Sequence, residues 1–570
     1  MKNFTKITLS VLSLLFLSMA PLAADYKITI RGGDDLTFTP KPAEDRAPLV
    51  DKTKYDVVVI GGGLAGLSSA VYLSEKGKKI LIIEKEAKLG GLAAGDTDKK
   101  GIRYNRGAAY WADAGEEIIN ILEHIGLNDF KKTYPIHDPI DSYLWKGKFY
   151  EHFWEQPTLA ELPASFALFK HELEMSEKDG LIPGQPFEEF ANLELDKLTA
   201  EEWLKTVPAR VAARKDEESK KIYESFKKDT RVDHANPMKD VGQLVELYTR
   251  SALGGLPKQV SAAAFANFYV AEFVTRYTSP NGTGEAAMKM IKTLQGKAPL
   301  VTLKTQSTAT KIMNEPSGAR VQYVNGGKLH EVSADYVVFA AQLRFAPRII
   351  EGFTEKAPEQ AAAMNALEYS HCFVHVVKVK GHPYRASYDT WVRPEDYKDI
   401  DFTDVILGRW MDPKIKGYEG MRDFKKHPSD NDGIFTIYHN FQHPDEWMQN
   451  RKDMIPENHY KLAAQLAVDG MIKNLSPMLK EKWGTKIEVQ SVETNRWPYS
   501  LMVVKPGHFS KFGKILRRPF GRVFFANNNL GTPSVEEAVF RGHCAANNIF
   551  KRLDAGFKNE EWSNCPLEAP

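Results

Sequence analysis

Cysteine is scarce: the 570 residues hold three, Cys372, Cys544 and Cys565. None stands in a C-x-x-C or C-x-x-C-H pattern, so the sequence supports neither a structural zinc site nor a c-type haem. No metal is expected. An oxidising compartment permits one disulfide, but the spacing does not say which pair forms it, and buried free thiols are the alternative. An excess of one charge is lacking too. Lys and Arg total 76 against 74 Asp and Glu, a net +2. A nucleic-acid partner, which would select a concentrated basic surface, is therefore not expected. There is no internal repeat and no low-complexity tract. No G-x-S-x-G elbow, H-E-x-x-H or Walker sequence offers a competing active site.

Long apolar runs are missing after the first two dozen residues. The one at the start reads as an export signal. Lys2 and Lys6 lead into an apolar stretch from Ile7 to about Ala20, and Leu22-Ala23-Ala24 supplies small residues for cleavage. That stretch is short of the ~20 apolar residues a spanning helix needs. Residues 1–24 are therefore expected to be a cleaved signal peptide. The absence of a twin-Arg pair points to the general bacterial route and a periplasmic or secreted protein with no membrane span. A chain exported unfolded would acquire any cofactor outside the cytoplasm.

What is present is an ordinary globular balance, 43% hydrophobic and 26% charged residues. The length exceeds the ~250–300 residues at which single cores stop growing, so two or more lobes are expected. Tyr55–Ile60 is a β-branched run with little alternation, suited to a strand buried on both faces of a parallel sheet. Gly61-Gly62-Gly63-Leu64-Ala65-Gly66 follows, then a helical pattern from Leu64 to Lys76 stopped by Gly77. A second buried run, Lys79–Ile83, ends at Glu84. G-x-G-x-x-G between a strand and a helix is a dinucleotide turn. Gly61 permits the tight bend, Gly63 lets the backbone approach a pyrophosphate, and Gly66 lets the helix pack on the sheet. Leu64 and Ala65 open a helix whose free N–H groups favour phosphate. Glu84 can accept hydrogen bonds from ribose hydroxyls and would repel a 2′-phosphate.

Further along, Lys88-Leu89-Gly90-Gly91-Leu92, Gly107-Ala108-Ala109, Tyr336–Ala341, Arg496-Trp497-Pro498, Phe525-Ala526-Asn527-Asn528 and Ser534–Val539 stand in an order that resembles the flavin amine oxidase and phytoene desaturase superfamily. The resemblance covers nearly the whole mature chain. It implies an α/β fold: a Rossmann-type FAD-binding domain of the glutathione-reductase/amine-oxidase kind, with a second mixed α+β substrate domain and a helical insertion. The implied division is a signal peptide (1–24), a leader (25–54), an FAD domain in three parts (55–149, 276–344 and 496–556), a substrate lobe in two (150–275 and 345–495) and a tail (557–570). It further implies FAD contacts from Gly61, Gly63, Leu64, Ala65, Gly66, Glu84, Lys85, Gly90, Gly91, Leu92, Gly107, Ala108, Ala109, Ala309, Trp497, Asn527, Asn528, Ser534, Val535 and Ala538. No Cys lies in Trp497–Gly507, so the FAD should be non-covalent.

The same resemblance implies oxidation of an amine to an imine by hydride transfer to flavin N5. Oxygen or a periplasmic electron carrier would then be the acceptor. His371 stands where the family often has a Lys near the flavin, and is the candidate proton acceptor. Three departures qualify this. Leu92-Ala93 replaces an Arg, Asn528 replaces an acid, and Ser534 replaces one aromatic wall of the amine cage. Tyr369, Trp391, Trp410 and Tyr499 are candidate substitutes for that wall. Two alternatives stay open: a desaturase or isomerase acting on a lipid or polyene, and a non-enzymatic FAD-binding protein.

Overall fold

The computed structural model describes residues 26–31, 47–97, 99, 103–112, 115–133, 135–136, 140–187, 190, 192–279, 282–380, 387–393, 402–407, 432–440, 457–483 and 487–567. The signal-peptide expectation for 1–24, and Trp410, fall outside them.

Two large sheets organise these residues. The first is built on parallel strands whose side chains are buried on both faces, which explains why their sequences barely alternate. β2 (Leu49–Ile60) and β3 (Ile80–Ile83) flank the Gly61 turn. β8 (Val301–Lys304) pairs beyond β3, and β11 (Lys328–Phe339) and β17 (Val523–Phe525) pair on the other side, all parallel. β9 (Ser307–Glu315) and β10 (Gly318–Asn325) continue the sheet antiparallel from β11. The β10–β11 turn is Gly326-Gly327, both at positive φ, as the Asn325-Gly326-Gly327 sequence predicts.

One face of this sheet carries α1 (Leu64–Glu75), a helix at Gly284–Gln295 and the C-terminal helix Val535–Leu553. Gly542 allows that last helix to approach α1, because a Cβ there would lie 2.3 Å from the Ala65 carbonyl oxygen. The C-terminal tail is tied back to it by a Cys544–Cys565 disulfide, and Cys372 is the free, buried thiol.

The second sheet has eight strands among the described residues. β1 (Lys27–Arg31), β16 (Glu488–Met502), β12 (Tyr369–Lys380), β15 (Asp432–Asn440), β14 (Asp404–Leu407), β13 (Asp389–Arg393), β6 (Asp141–Trp145) and β7 (Lys148–Glu151) lie side by side. Helices at Ala164–Lys178, Ala200–Ala213, Lys239–Leu253 and Ala262–Val270 pack one face through an aromatic-rich core. Helix Glu457–Trp483 covers the other. The small pair β4 (Gly95–Thr97) and β5 (Arg103–Asn105) lies apart from both sheets.

Strand pairing redraws three sequence expectations. The 25–54 segment contributes two paired stretches: β1 runs parallel to β16, from Lys27 opposite Ser491 to Arg31 opposite Asn495, and Leu49 begins β2. β6, expected in the first FAD segment, pairs β13 of the second sheet. Residues 496–502, expected in the last FAD segment, end β16 of that same sheet. In each case the partner strand is remote in sequence, and local alternation does not encode which sheet supplies it.

Candidate active site

A cavity of about 1670 Å³ lies between the two sheets. Its first half is made of backbone. Gly61 adopts φ 104°, and a Cβ there would meet the Ala340 backbone at 3.0 Å. Gly66 has no room at all, since a Cβ would lie 1.9 Å from the Gly61 carbonyl oxygen. Gly63 is different. A Cβ there would meet nothing nearer than the Gly91 Cα at 3.9 Å, so the space beside Gly63 opens into the cavity, where a phosphate could approach the amides.

The paired glycines fold across this turn. Gly90 N donates to the Gly62 carbonyl at 2.8 Å, and Gly90 and Gly91 both take positive φ. Leu92 in turn receives Ala108 N at 2.8 Å, and a Cβ on Gly107 would lie 2.1 Å from the Leu92 oxygen. The carbonyls of 107–109 are each held by a hydroxyl. Tyr438 donates to Gly107, Thr283 donates to Ala108 at 2.9 Å, and Thr278 donates to Ala109 at 2.6 Å. Tyr438 belongs to β15, so the second sheet fixes the small-residue turn of the first.

Glu84 is buried at the end of β3. Its two oxygens accept Gly62 N at 2.7 Å and Glu86 N at 2.8 Å. Burial pushes its carboxyl above the usual range, while those amides, with Lys85 nearby, pull it back down. Lys85 and Ala309 also line this end. Ser534 caps the last helix by accepting Glu537 N at 3.0 Å, which aims the helix N-terminus, with Val535 and Ala538, at the cavity. Asn527 donates to the Ala341 carbonyl at 3.1 Å and accepts Asn529 N at 2.9 Å, fixing the loop that presents Asn528.

The other half is made of side chains on the second sheet. Trp497 donates its Nε1 to the Arg106 carbonyl at 2.6 Å and so bridges the two halves. β16 bulges just after it. The pairing steps from Cys372–Trp497 to Ser370–Leu501, and Tyr499 takes φ 57°. A left-handed Tyr costs of order 1–2 kcal/mol and persists only where its surroundings impose it. The Arg344 guanidinium lies 4.2 Å over the Tyr499 ring. Trp391, Asp389, Asp404, Ile406, Tyr438 and Asn440 complete the wall, and Tyr248 and Glu272 line the cavity with them.

A family model, flavin containing amine oxidoreductase, matches residues 64–550. The chain belongs to this family. As a member of a family of FAD-dependent oxidoreductases it takes FAD as its cofactor, and the open space at Gly63, the Glu84 acceptor and the capped helix N-terminus fit that nucleotide. No Cys lies in Trp497–Gly507 for a covalent link. A curated relative, the 15-cis-phytoene desaturase of an Oncidium hybrid cultivar, is 32% identical over 209 residues, 34% of this chain and 32% of its own length. Horse flavin-containing amine oxidase A is 32% identical over 96 residues, 17% of this chain and 18% of the relative. The chain thus spans about a third or less of these relatives in the match. Among solved structures, cyclohexylamine oxidase from Brevibacterium oxydans IH-35A shares the fold, with a TM-score of 0.59 at 18% identity over 88% of this chain and 100% of that one.

Of the expected cofactor residues, nearly all line the one cavity. Gly66 and Gly90 do not, and support its floor from behind. His371 does not line it either. Its strand neighbours Cys372 and Val374 face the cavity, while His371 packs its ring 5.2 Å from Tyr499. The pleat therefore corrects the expectation of a directly placed proton acceptor, because alternate residues of a strand point to opposite faces. Tyr499 and Trp391 do reach the cavity, and Tyr369 donates its hydroxyl to Asn529 at 2.9 Å beside it. Sequence reasoning missed Asp389, Asp404, Glu272 and Arg276. They come from three segments, and no spacing announces them. The one signal was that Asp389 and Asp404 interrupt strand-forming runs.

Proposed function

We propose that this protein is an exported FAD-dependent amine oxidase. Its substrate would be a small amine, converted to an imine that water hydrolyses to a carbonyl compound. Oxygen or an extracytoplasmic electron carrier would take the electrons. When bound, FAD supplies the oxidation by accepting a hydride from the carbon beside the nitrogen. The observation that carries this reading is the make-up of the wall facing the cofactor half: aromatic rings interleaved with buried carboxylates. Such a wall suits a cationic amine and opposes a wholly apolar chain.

The chain's own residues divide the work. Trp497 and Tyr499 would confine the substrate next to the cofactor. The buried sheet and the helices over it exclude water. His371 acts as a positioning residue behind Tyr499. Export is supported by the Cys544–Cys565 disulfide, since such bonds persist outside the reducing cytoplasm.

A desaturase-like reading draws on the phytoene desaturase relatives and on Ser534 in place of an aromatic residue. One experiment separates the two. Holoenzyme is mixed anaerobically with amines, amino acids and isoprenoids while the visible flavin band is followed. Bleaching by amines supports amine oxidation. Bleaching by polyenes alone overturns it in favour of the desaturase.

A further inference from the structure

Two buried acids on the cavity wall stand outside the ion pairs of the described residues. Arg276, fully buried, is bracketed by Asp141 and by Glu272, whose Oε2 lies 2.8 Å from its Nη1. Tyr110 covers the guanidinium at 4.9 Å, and Tyr248 donates its hydroxyl to Glu272 Oε1 at 3.1 Å. Those two carboxylates account for the one guanidinium.

Asp389 and Asp404 lie beyond it on adjacent strands, 1% and 3% exposed, and both line the cavity. Asp404 Oδ1 accepts the hydroxyls of Ser251 at 2.6 Å and Thr403 at 2.5 Å. Asp389 Oδ1 is buried and accepts no hydrogen bond. Among the described residues, neither acid has an ion-pair partner. Burial, the mutual repulsion of the two and the charge of Asp141 all push Asp389 well above the carboxylate range. Burial raises Asp404 to about 6. An unpaired carboxylate in such a place is costly, and a cation delivered by a ligand relieves it.

The surroundings suit an ammonium group. Trp391 stands directly opposite Asp404 across β13–β14, Tyr438 is opposite it across β14–β15, and the Tyr248 ring lies 5.5 Å from that of Trp391. Asp404 is two strands, and Asp389 three, from Cys372, and each is one strand further from Trp497, the partner of Cys372 on β16. At a strand spacing of about 4.8 Å, that separates the acids from Cys372 by roughly 10 to 14 Å and from Trp497 by roughly 14 to 19 Å.

We infer that Asp389 and Asp404 form a subsite for a second ammonium group, at the end of the substrate remote from the bond oxidised, so that the substrate is a long diamine or polyamine. This inference rests on the amine-oxidation reading.

The test compares 1,8-diaminooctane with octylamine on the holoenzyme. Anaerobic flavin bleaching gives the half-saturating concentration, and perturbation of the oxidised flavin spectrum gives binding. The diamine is expected to half-saturate at a concentration about 30-fold or more below that of octylamine, the scale of a buried charge pair. In Asp389→Asn and Asp404→Asn that preference should collapse to within about threefold. Asn keeps the shape and removes a buried charge, and the parental comparison stands without either variant. If octylamine binds as well as the diamine, or the preference survives both substitutions, the subsite is overturned while amine oxidation stands. If neither amine bleaches the flavin, amine oxidation fails and the inference goes with it.

Discussion

The two halves of the cavity are made of different material. The cofactor half is backbone: Gly61, Gly63, Gly66, Gly90, Gly91 and Gly107 are glycines because a Cβ would strain the turn, strike a neighbouring carbonyl or fill the nucleotide's path. The substrate half is side chains carried by β12 to β16, on strands drawn from widely separated segments. A cradle of backbone is intolerant of any added atom, whereas a wall of side chains tolerates substitution and sets what is bound. That difference fixes where mutations should hurt, and how.

The sharpest contrast lies at Gly66. Gly66→Val would place atoms against the Gly61 carbonyl oxygen, where even a Cβ lies at 1.9 Å. The expected outcome is loss of about 3 kcal/mol or more of stability and failure to retain FAD, read by denaturant midpoint and flavin content.

Next comes Asp404→Asn, on the other side of the comparison. Burial pushes the Asp404 carboxyl up to about 6 in the folded chain, from an ordinary carboxylate value of about 4. A raised carboxyl pKa means the native state binds the proton more tightly, so this group's contribution is fully present below about pH 4 and is lost as pH rises through 6. Removing it should therefore leave stability little changed at pH 4 and raise it at pH 7.5, by up to about 3 kcal/mol in the absence of amine. Equal gains at both pH values would show that Asp404 carries no such penalty.

Glu84→Ala returns to the cofactor half. It removes the acceptor of two backbone amides as well as the proposed ribose contact. FAD affinity should fall roughly 10- to 100-fold, measured by reconstitution of apoprotein.

His371→Ala tests the pleat. A direct proton acceptor would cost ~10²- to 10⁴-fold in rate. A residue packed behind Tyr499 should cost less than about tenfold in limiting flavin reduction. Smallest of all, Ser534→Ala removes a cap from the C-terminal helix and should cost about 1 kcal/mol in thermal stability.

The same contrast explains what could be read from the sequence. The Gly61–Gly66 turn, Gly90-Gly91 and Glu84 lie within 31 residues of chain, and backbone geometry forces their identities, so the dinucleotide site was visible as a pattern. So was the helix at 64–75, where periodicity is local. The substrate wall was not visible. Asp389 faces the cavity only because β13 pairs β6 and β14, and His371 misses it only because the pleat selects Cys372. Pairing partners and facing are tertiary facts, and a register shift of one residue would exchange which side chains face the site. The pairing of Cys544 with Cys565 likewise depends on where the tail returns, which spacing alone does not state.

The most direct test is the anaerobic visible spectrum of the purified protein before and after an amine is added. The account predicts the absorption of bound oxidised FAD, bleached by amine and restored by air with release of a carbonyl product. A colourless protein that cannot be reconstituted with FAD, or a yellow one that no amine bleaches, would contradict it.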